Sequence, residues 1–343
     1  MTRIPVPGSV IHGLPALPAK LGKAAERTVG YLRRAASGSH PFFCCMSVFD
    51  LHSPYVNHPR DAEALLDTAS LPAVIAGDEG FDHRPVAHEM EPRWNVPVPP
   101  PGILTQWRVG YHAAVAHIDR QVGRVLATID DLGLRDSTAV VFTSYHGDMM
   151  GDHGLMTKGG YFYNACKRVP TMVRAPGQPP RIEHAPVQLH DVAATCLGFA
   201  GDAPADTADW SPDGIDLLDS ARLAARNRAV CLYRNSGNCA KPEIGYRGPW
   251  DPAIHGTMWF RDDLKTSVYH SPVPEPGSAH PRGELYDVGD DPDEVRSRWD
   301  HPAYMARRDA MLLDAMDWLA HEELRARSRG EDASGDRYTG ANG

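Results

Sequence analysis

Thr138-Ala-Val-Val-Phe-Thr-Ser-Tyr-His-Gly-Asp-Met-Met-Gly-Asp-His-Gly154 is the stretch on which the fold turns. Its first six residues are mostly apolar or β-branched, the pattern of a short strand buried on both faces. The strand gives way to Ser-Tyr-His-Gly-Asp148 and a Gly-rich turn carrying two aspartates and two histidines. Glycine lets the backbone bend sharply there and aim those side chains outward. Upstream, Val115, Ile118, Val122, Val125 and Ile129 recur at three-and-four spacing, which predicts one apolar helical stripe, with Gly133 just beyond it. Earlier still, Pro41-Phe-Phe-Cys-Cys-Met-Ser-Val-Phe49 reads as a second doubly buried strand, broken by the polar turn Asp50-Leu-His-Ser-Pro-Tyr55. Strand, helix, strand is the βαβ pattern, so the expectation is an α/β fold whose mostly parallel sheet is flanked by helices. Ligands bind such sheets beyond the C-terminal ends of strands. Turns 50–55 and 144–153 should therefore share one edge of the molecule.

Working outward, residues 1–22 are rich in Pro and Gly and predict no strand, and a helix follows over roughly 23–36. Residues 56–103 read as a long surface excursion, the kind of loop that is often functional. Val169–Arg174 is a third short strand, and Leu189–Phe199 a helix. From about 228 the rhythm changes. Val230–Tyr233, Thr257–Phe260, Lys265–Tyr269 and Glu284–Tyr286 predict a small antiparallel sheet. A closing helix starts near 302, with Leu312, Met316 and Leu319 on its inner face. The expected organisation is an incomplete α/β domain over 1–225, a C-terminal α+β subdomain over 226–325, and a disordered tail over 326–343.

At 343 residues, 42% hydrophobic and 23% charged, the chain can bury a sizeable core. Its net charge of -9 is spread along the sequence, which argues against a nucleic-acid surface. None of the six cysteines forms a C-x-x-C pair, so zinc and thioredoxin-like readings fail. Cys44 and Cys45 read as buried, reduced thiols on opposite faces of a strand. No leader-like apolar stretch opens the sequence and no segment is long enough to span a membrane, so the reading is cytoplasmic, with no membrane partner.

Imidazole and carboxylate together are metal ligands, and a strand end can hold them rigidly. Lys158 offers a cation for an anionic substrate oxygen, and His52 can take or give a proton. Each is by itself an ordinary turn residue; their gathering at two strand ends is what turns the reading toward a site.

Three further stretches carry a resemblance: Tyr111-His-Ala-Ala-Val-Ala-His-Ile-Asp-Arg-Gln-Val-Gly-Arg124, Lys158-Gly-Gly-Tyr161 and Arg168-Val-Pro-Thr-Met-Val-Arg-Ala-Pro-Gly177. With the Ser144–Asp148 turn, the Phe42–Tyr55 strand and turn, and Gly283-Glu-Leu-Tyr-Asp287, the chain resembles the sulfatase family of the alkaline-phosphatase-like superfamily over most of 25–322. The resemblance implies a small-molecule sulfate ester as substrate and a divalent cation, usually calcium. It implies His146 as a metal ligand, His52 and Lys158 as catalytic contacts to the sulfate, and Asp152 and His153 near the substrate. The sequence also departs from the family. No Cys or Ser begins a C/S-x-P-x-R motif, from which the family makes its formylglycine nucleophile, and Tyr145 stands where the family has a metal-binding Asp. A neutral phenol is a poor ligand for a hard cation. The chain thus reads as starting after the family's first strand, with self-association through exposed sheet edges expected. Three functions follow: a sulfuric-ester hydrolase without its nucleophile segment, a non-catalytic sulfatase-like remnant or binding scaffold, or a phosphodiester or phosphonate monoester hydrolase of the same superfamily.

Overall fold

The computed structural model describes residues 8–12, 18–49, 51–52, 55, 58–77, 98–201, 213–234, 255–270 and 283–334. Strand β1 (Gly8–His12) and helix α1 (Pro18–Ala36) precede β2 (Phe43–Ser47). Short α2 (Arg60–Glu63) leads to the long α3 (Pro101–Asp131). Then come β3 (Val140–Thr143), short α4 (Asn164–Lys167), β4 (Thr171–Arg174), α5 (His190–Phe199) and α6 (Ser220–Ala225). Strands β5 (Arg228–Arg234), β6 (His255–Arg261), β7 (Leu264–His270) and β8 (Gly283–Asp287) precede the closing helix α7 (Met305–Ser334). Part of the 50–55 turn, and Cys239, lie outside the described residues.

The α/β architecture is as expected, with differences in how the strands pair. Residues 1–22, read as strandless, contribute β1, which pairs in parallel with β2 from Gly8 opposite Phe43 to His12 opposite Ser47. β2 and β3 are not ladder partners, so the inferred βαβ adjacency does not form among the described residues. β4 instead runs antiparallel to β3, with Thr143 opposite Thr171. The segment joining them contains only short helical turns, and without a crossover helix the chain returns antiparallel. β2 is also not buried on both faces: Phe43 is 47% exposed, Cys45 is exposed and Cys44 half-buried, although the two thiols do face opposite ways.

Helix α3 starts at Pro101, a residue whose fixed φ and missing N–H suit the first helical position. Its packed face is rotated from the predicted stripe. Leu104, Gly110, Ala113, His117, Gln121 and Ile129 are buried, whereas Val115 is 41% exposed. The cause is Gly110, where a Cβ would fall 1.9 Å from the Tyr55 carbonyl oxygen. Only glycine lets the helix backbone lie that close to the chain following β2. The apolar stripe and the contact face therefore diverge, because the tightest approach selects a residue with no side chain.

The C-terminal sheet follows the order β5-β6-β7-β8, antiparallel throughout, as expected. Helix α7 covers one face: Met311 and Ala315 pack with Trp259, Leu264 and Leu285. Met316, read as inward, is 65% exposed, because the buried positions fall one residue earlier. The helix also runs on to Ser334, past the expected start of a disordered tail. The opposite face of the sheet packs on the segment after β3. There Met149, Leu155, Tyr161, Tyr163, Cys166 and Tyr286 form one buried cluster. Among the described residues no helix is long and apolar enough to cross a membrane.

On the edge strand β8, Glu284 is 2% exposed and accepts from the hydroxyls of Tyr286, Tyr163 and Tyr269 at 3.1–3.2 Å. Burial pushes its carboxyl up to about 7, against the lowering effect of the three hydroxyls and Lys265. The folded chain therefore holds a proton that the unfolded chain releases near 4.5. This stability is full below that pH and lost as pH rises through 7. Relative to Glu284→Gln, the unmodified chain should lose on the order of 3 kcal/mol between pH 4.5 and pH 8. Urea denaturation of both proteins across that range measures the difference; parallel curves would contradict it.

Candidate active site

The segment after β3 folds back on itself. Gly147 N–H donates to the Cys166 carbonyl at 2.8 Å, Met149 N–H to Thr157 at 2.8 Å, and Gly151 N–H to Leu155 at 2.9 Å. Reversing the chain this tightly requires left-handed backbone at Met150, Gly151, His153, Gly154 and Thr157. Three of these carry side chains, a conformation that costs roughly 1 kcal/mol or more each and persists only where surroundings enforce it. Gly147 is required for a different reason: a Cβ there would sit 2.0 Å from the Ala165 carbonyl oxygen.

This doubled loop presents His146 and Lys158 to His52, which arrives from the end of β2. The Lys158 ammonium donates to His52 Nε2 across 106 positions of sequence. Phe49 stacks on the His52 ring, centroids 4.6 Å apart and planes within 26°. The His146 ring lies 6.5 Å from that of His52, edge toward face. Its Nδ1 donates to the Gly147 carbonyl at 2.7 Å, which leaves Nε2 as the basic nitrogen. Burial lowers the Lys158 ammonium below the ordinary lysine range, with Asp148 and Cys166 opposing that shift. Burial also lowers His146; its bond to Gly147 and the nearby Asp148 oppose this, while Lys158 and His52 reinforce it. The site therefore offers one cation and two imidazoles, suited to an oxyanion and to proton transfer.

Behind this face lies a carboxylate. Asp148 accepts from the Tyr55 hydroxyl at 2.7 Å and from Met150 N–H at 3.1 Å. Burial raises its carboxyl, and those two bonds and Lys158 counteract the rise. Asp152 and His153 point elsewhere. Asp152 accepts from Ile75 N–H at 3.0 Å and lies 3.6 Å from Arg108. The His153 ring is buried and stacked 4.0 Å from Tyr163, with 7° between planes. Both anchor the 72–76 segment and the core, and the structure does not bring them to the His52–Lys158 pair. Tyr55 and Arg108 were not singled out in the sequence. Tyr55 ended a quoted turn, but Arg108, which donates to the carbonyls of Met150 and Pro72, sits on a helix with no motif to flag it.

Tyr145 is 60% exposed, its ring edge-on to His146 at 4.2 Å. With His146 it makes a donor pair of one phenol and one neutral imidazole, and the nearby Asp148 carboxylate is engaged by Tyr55. Hard divalent cations require several oxygen donors, mostly carboxylates and carbonyls. No cluster of three or more His, Cys, Asp or Glu among the described residues could hold a metal ion. The residues present at 145–148 do not fit calcium by themselves.

Comparison with known proteins identifies the family. The family model for sulfatases matches residues 22–202, more than half of the chain. An arylsulfatase of Clostridium perfringens is 26% identical over 312 residues, covering 89% of this chain and 58% of that protein. A choline-sulfatase of Rhizobium meliloti is 30% identical over 144 residues, 42% of this chain and 28% of its own length. Among solved structures, a 2-O GAG sulfatase superposes with a TM-score of 0.65 at 18% identity, covering 92% of this chain and 67% of that one. A phosphonate monoester hydrolase from Silicibacter pomeroyi gives 0.64 at 22%, covering 89% and 60%. These establish an alkaline-phosphatase-like α/β fold. The chain spans less than two thirds of the length of both curated relatives.

Gly147→Ala tests the doubled loop. Its Cβ must push apart the Gly147–Cys166 pairing, for an expected loss of about 1–3 kcal/mol in urea denaturation. Gly123→Ala, where nothing lies within 4 Å of the added carbon, should instead be neutral or gain up to about 1 kcal/mol.

Proposed function

The chain belongs to the sulfatase family, and on that premise we propose that it holds the sulfate group of a small sulfuric ester between Lys158, His52 and His146. The observation that carries this reading is the Lys158–His52 contact: two motif residues far apart in sequence meet at the end of a strand, with His146 beside them. In this reading the Lys158 ammonium pairs with a non-bridging sulfate oxygen. As the S–O bond to the leaving group breaks, the departing oxygen takes a proton through His52, which Lys158 can resupply. Phe49, stacked on the imidazole, fixes the plane in which that proton moves.

The attacking group is not among the residues of this sequence, which contains no C/S-x-P-x-R motif. Hydrolysis would require a nucleophile from a segment or chain beyond it, and the chain alone should bind without turning over. A divalent cation, calcium by family, would likewise need carboxylates from outside the described residues. The second reading, a binding scaffold without catalysis, is favoured by exposed Tyr145 at the family's Asp position. A phosphodiester or phosphonate monoester carries the same single negative charge and suits the same cradle, so a hydrolase of those esters is the third reading.

Isothermal titration with phenyl sulfate tests the anion site. We expect binding by the unmodified chain that Lys158→Ala weakens about 10- to 100-fold, as loss of a charge-assisted bond implies. Absence of binding, or equal binding by the variant, would remove the reading. Turnover of phenyl sulfate by this chain alone would show that the attacking group lies within it. Self-association is proposed as well. Phe43 and Met172 are 47% and 59% exposed on two-stranded sheets, and such edges recruit further strands. Size-exclusion chromatography should show species larger than the monomer, and a monodisperse monomer that melts cooperatively would refute this.

A further inference from the structure

Lys158 is two glycines away from a segment that the C-terminal sheet grips from below. Lys265, on the middle strand β7 and 3% exposed, donates to the Phe162 carbonyl at 2.8 Å and to Asn164 Oδ1 at 3.0 Å. Its ammonium also pairs with Glu294, which is 2% exposed, and the other Glu294 oxygen accepts from Asn164 N–H at 2.5 Å. Three contacts thus converge on residues 162–164 from two buried, opposite charges. The grip reaches Lys158 through Tyr161, whose hydroxyl donates to the Met156 carbonyl at 2.7 Å and closes a short loop with Lys158 inside it. Next along the chain, Tyr163 stacks on His153 and donates to Glu284, so its ring and hydroxyl are fixed too.

A buried ion pair is weak evidence for stability. Replacing one with apolar groups of similar volume is often neutral or favourable, whereas orientation is what paired, hydrogen-bonded charges supply. The desolvation of Lys265 and Glu294 is met by bonds that go to one stretch of backbone and to the side chain of Asn164. We infer that Lys265 and Glu294 are positioning residues for Lys158, setting where its ammonium stands against His52 and against the bound anion. This rests on Lys158 being the anion-holding residue of the proposed site. Neither residue touches that site, and both act through the 156–164 loop.

The decisive variant is Lys265→Met/Glu294→Gln, which removes both charges together and leaves no unpaired ion in the core. Two quantities are read on the full chain. One is the titration of Lys158, followed by NMR of labelled lysine side chains and assigned with Lys158→Ala. The other is the phenyl sulfate dissociation constant. Burial holds Lys158 below the ordinary range, so a loosened ammonium should titrate at higher pH. We expect that upward shift, with affinity about tenfold weaker and a melting temperature near that of the unmodified chain. Asn164→Ala, which removes one acceptor of Lys265 and keeps the ion pair, should give smaller changes of the same sign, and it carries the test if the double variant does not fold. A folded variant with unchanged Lys158 titration and unchanged affinity would overturn the inference and leave the pair a packing element. If the unmodified chain binds no phenyl sulfate, the proposed function fails, while the Lys158 titration still decides the positioning question.

Discussion

The doubled loop between β3 and β4 is the constraint from which the rest of the site follows. Three backbone hydrogen bonds lay residues 147–151 against 155–166, and both His146 and Lys158 are carried on the result. Such a reversal leaves several residues in left-handed backbone, so it must be held from outside. On one side Arg108 of α3 donates to the Met150 carbonyl, and the 72–76 segment exchanges bonds with Asp152 and His153. On the other, the C-terminal sheet holds 162–164 through Lys265, Glu294 and Glu284. The glycines at 147 and 110 serve close backbone approach, one inside the loop and one where α3 meets the chain after β2.

Much of this was legible in the sequence, and the failures share a cause. Thr138–Thr143, the four C-terminal strands and the His52, His146 and Lys158 cluster were readable, because strand patterning and polar turns at strand ends are local signals. The packed face of α3 was not. Val115 fits the apolar stripe, yet the helix turns toward Gly110, a contact set by a backbone distance that hydrophobicity does not encode. The strand β1 was missed because Gly8–His12 sits in Pro- and Gly-rich sequence and owes its form to pairing with β2. Lys265 was read as part of a strand, and nothing in the sequence paired it with Glu294. A buried charge pair between 29 positions of sequence has no motif, and only its partners identify it. Asp152 and His153 look like site residues by composition, and the fold uses them as anchors.

The sheet also explains why the exposed residues are where they are. β2 and β3 deliver His52 and His146 to a common place, yet each is laddered to a different strand. Strand β2 alternates exposed and half-buried residues along a run that reads as wholly apolar. An apolar run of that kind is matched to cover on both faces, and among the described residues that cover is incomplete. The same holds for Met172 on β4 and for the outward part of the α3 stripe. The C-terminal sheet is better covered, by α7 on one side and by the doubled loop on the other, and Leu232 on β5 is exposed.

Charge then decides which anions suit the site. Lys158 is the cation, His52 is its hydrogen-bond partner, and burial lowers His146. Asp148 stands close behind, its carboxylate engaged by Tyr55 and Met150. A sulfuric monoester carries one negative charge, which one ammonium balances. A phosphate monoester carries nearly two at neutral pH, and in the proposed site the second would lie beside the Asp148 carboxylate, an arrangement that is costly in low dielectric. A phosphodiester or phosphonate monoester, with one charge, is not excluded on this count. Under the proposed function, the site would favour singly over doubly charged esters by electrostatics, and nothing that these residues supply would separate sulfur from phosphorus.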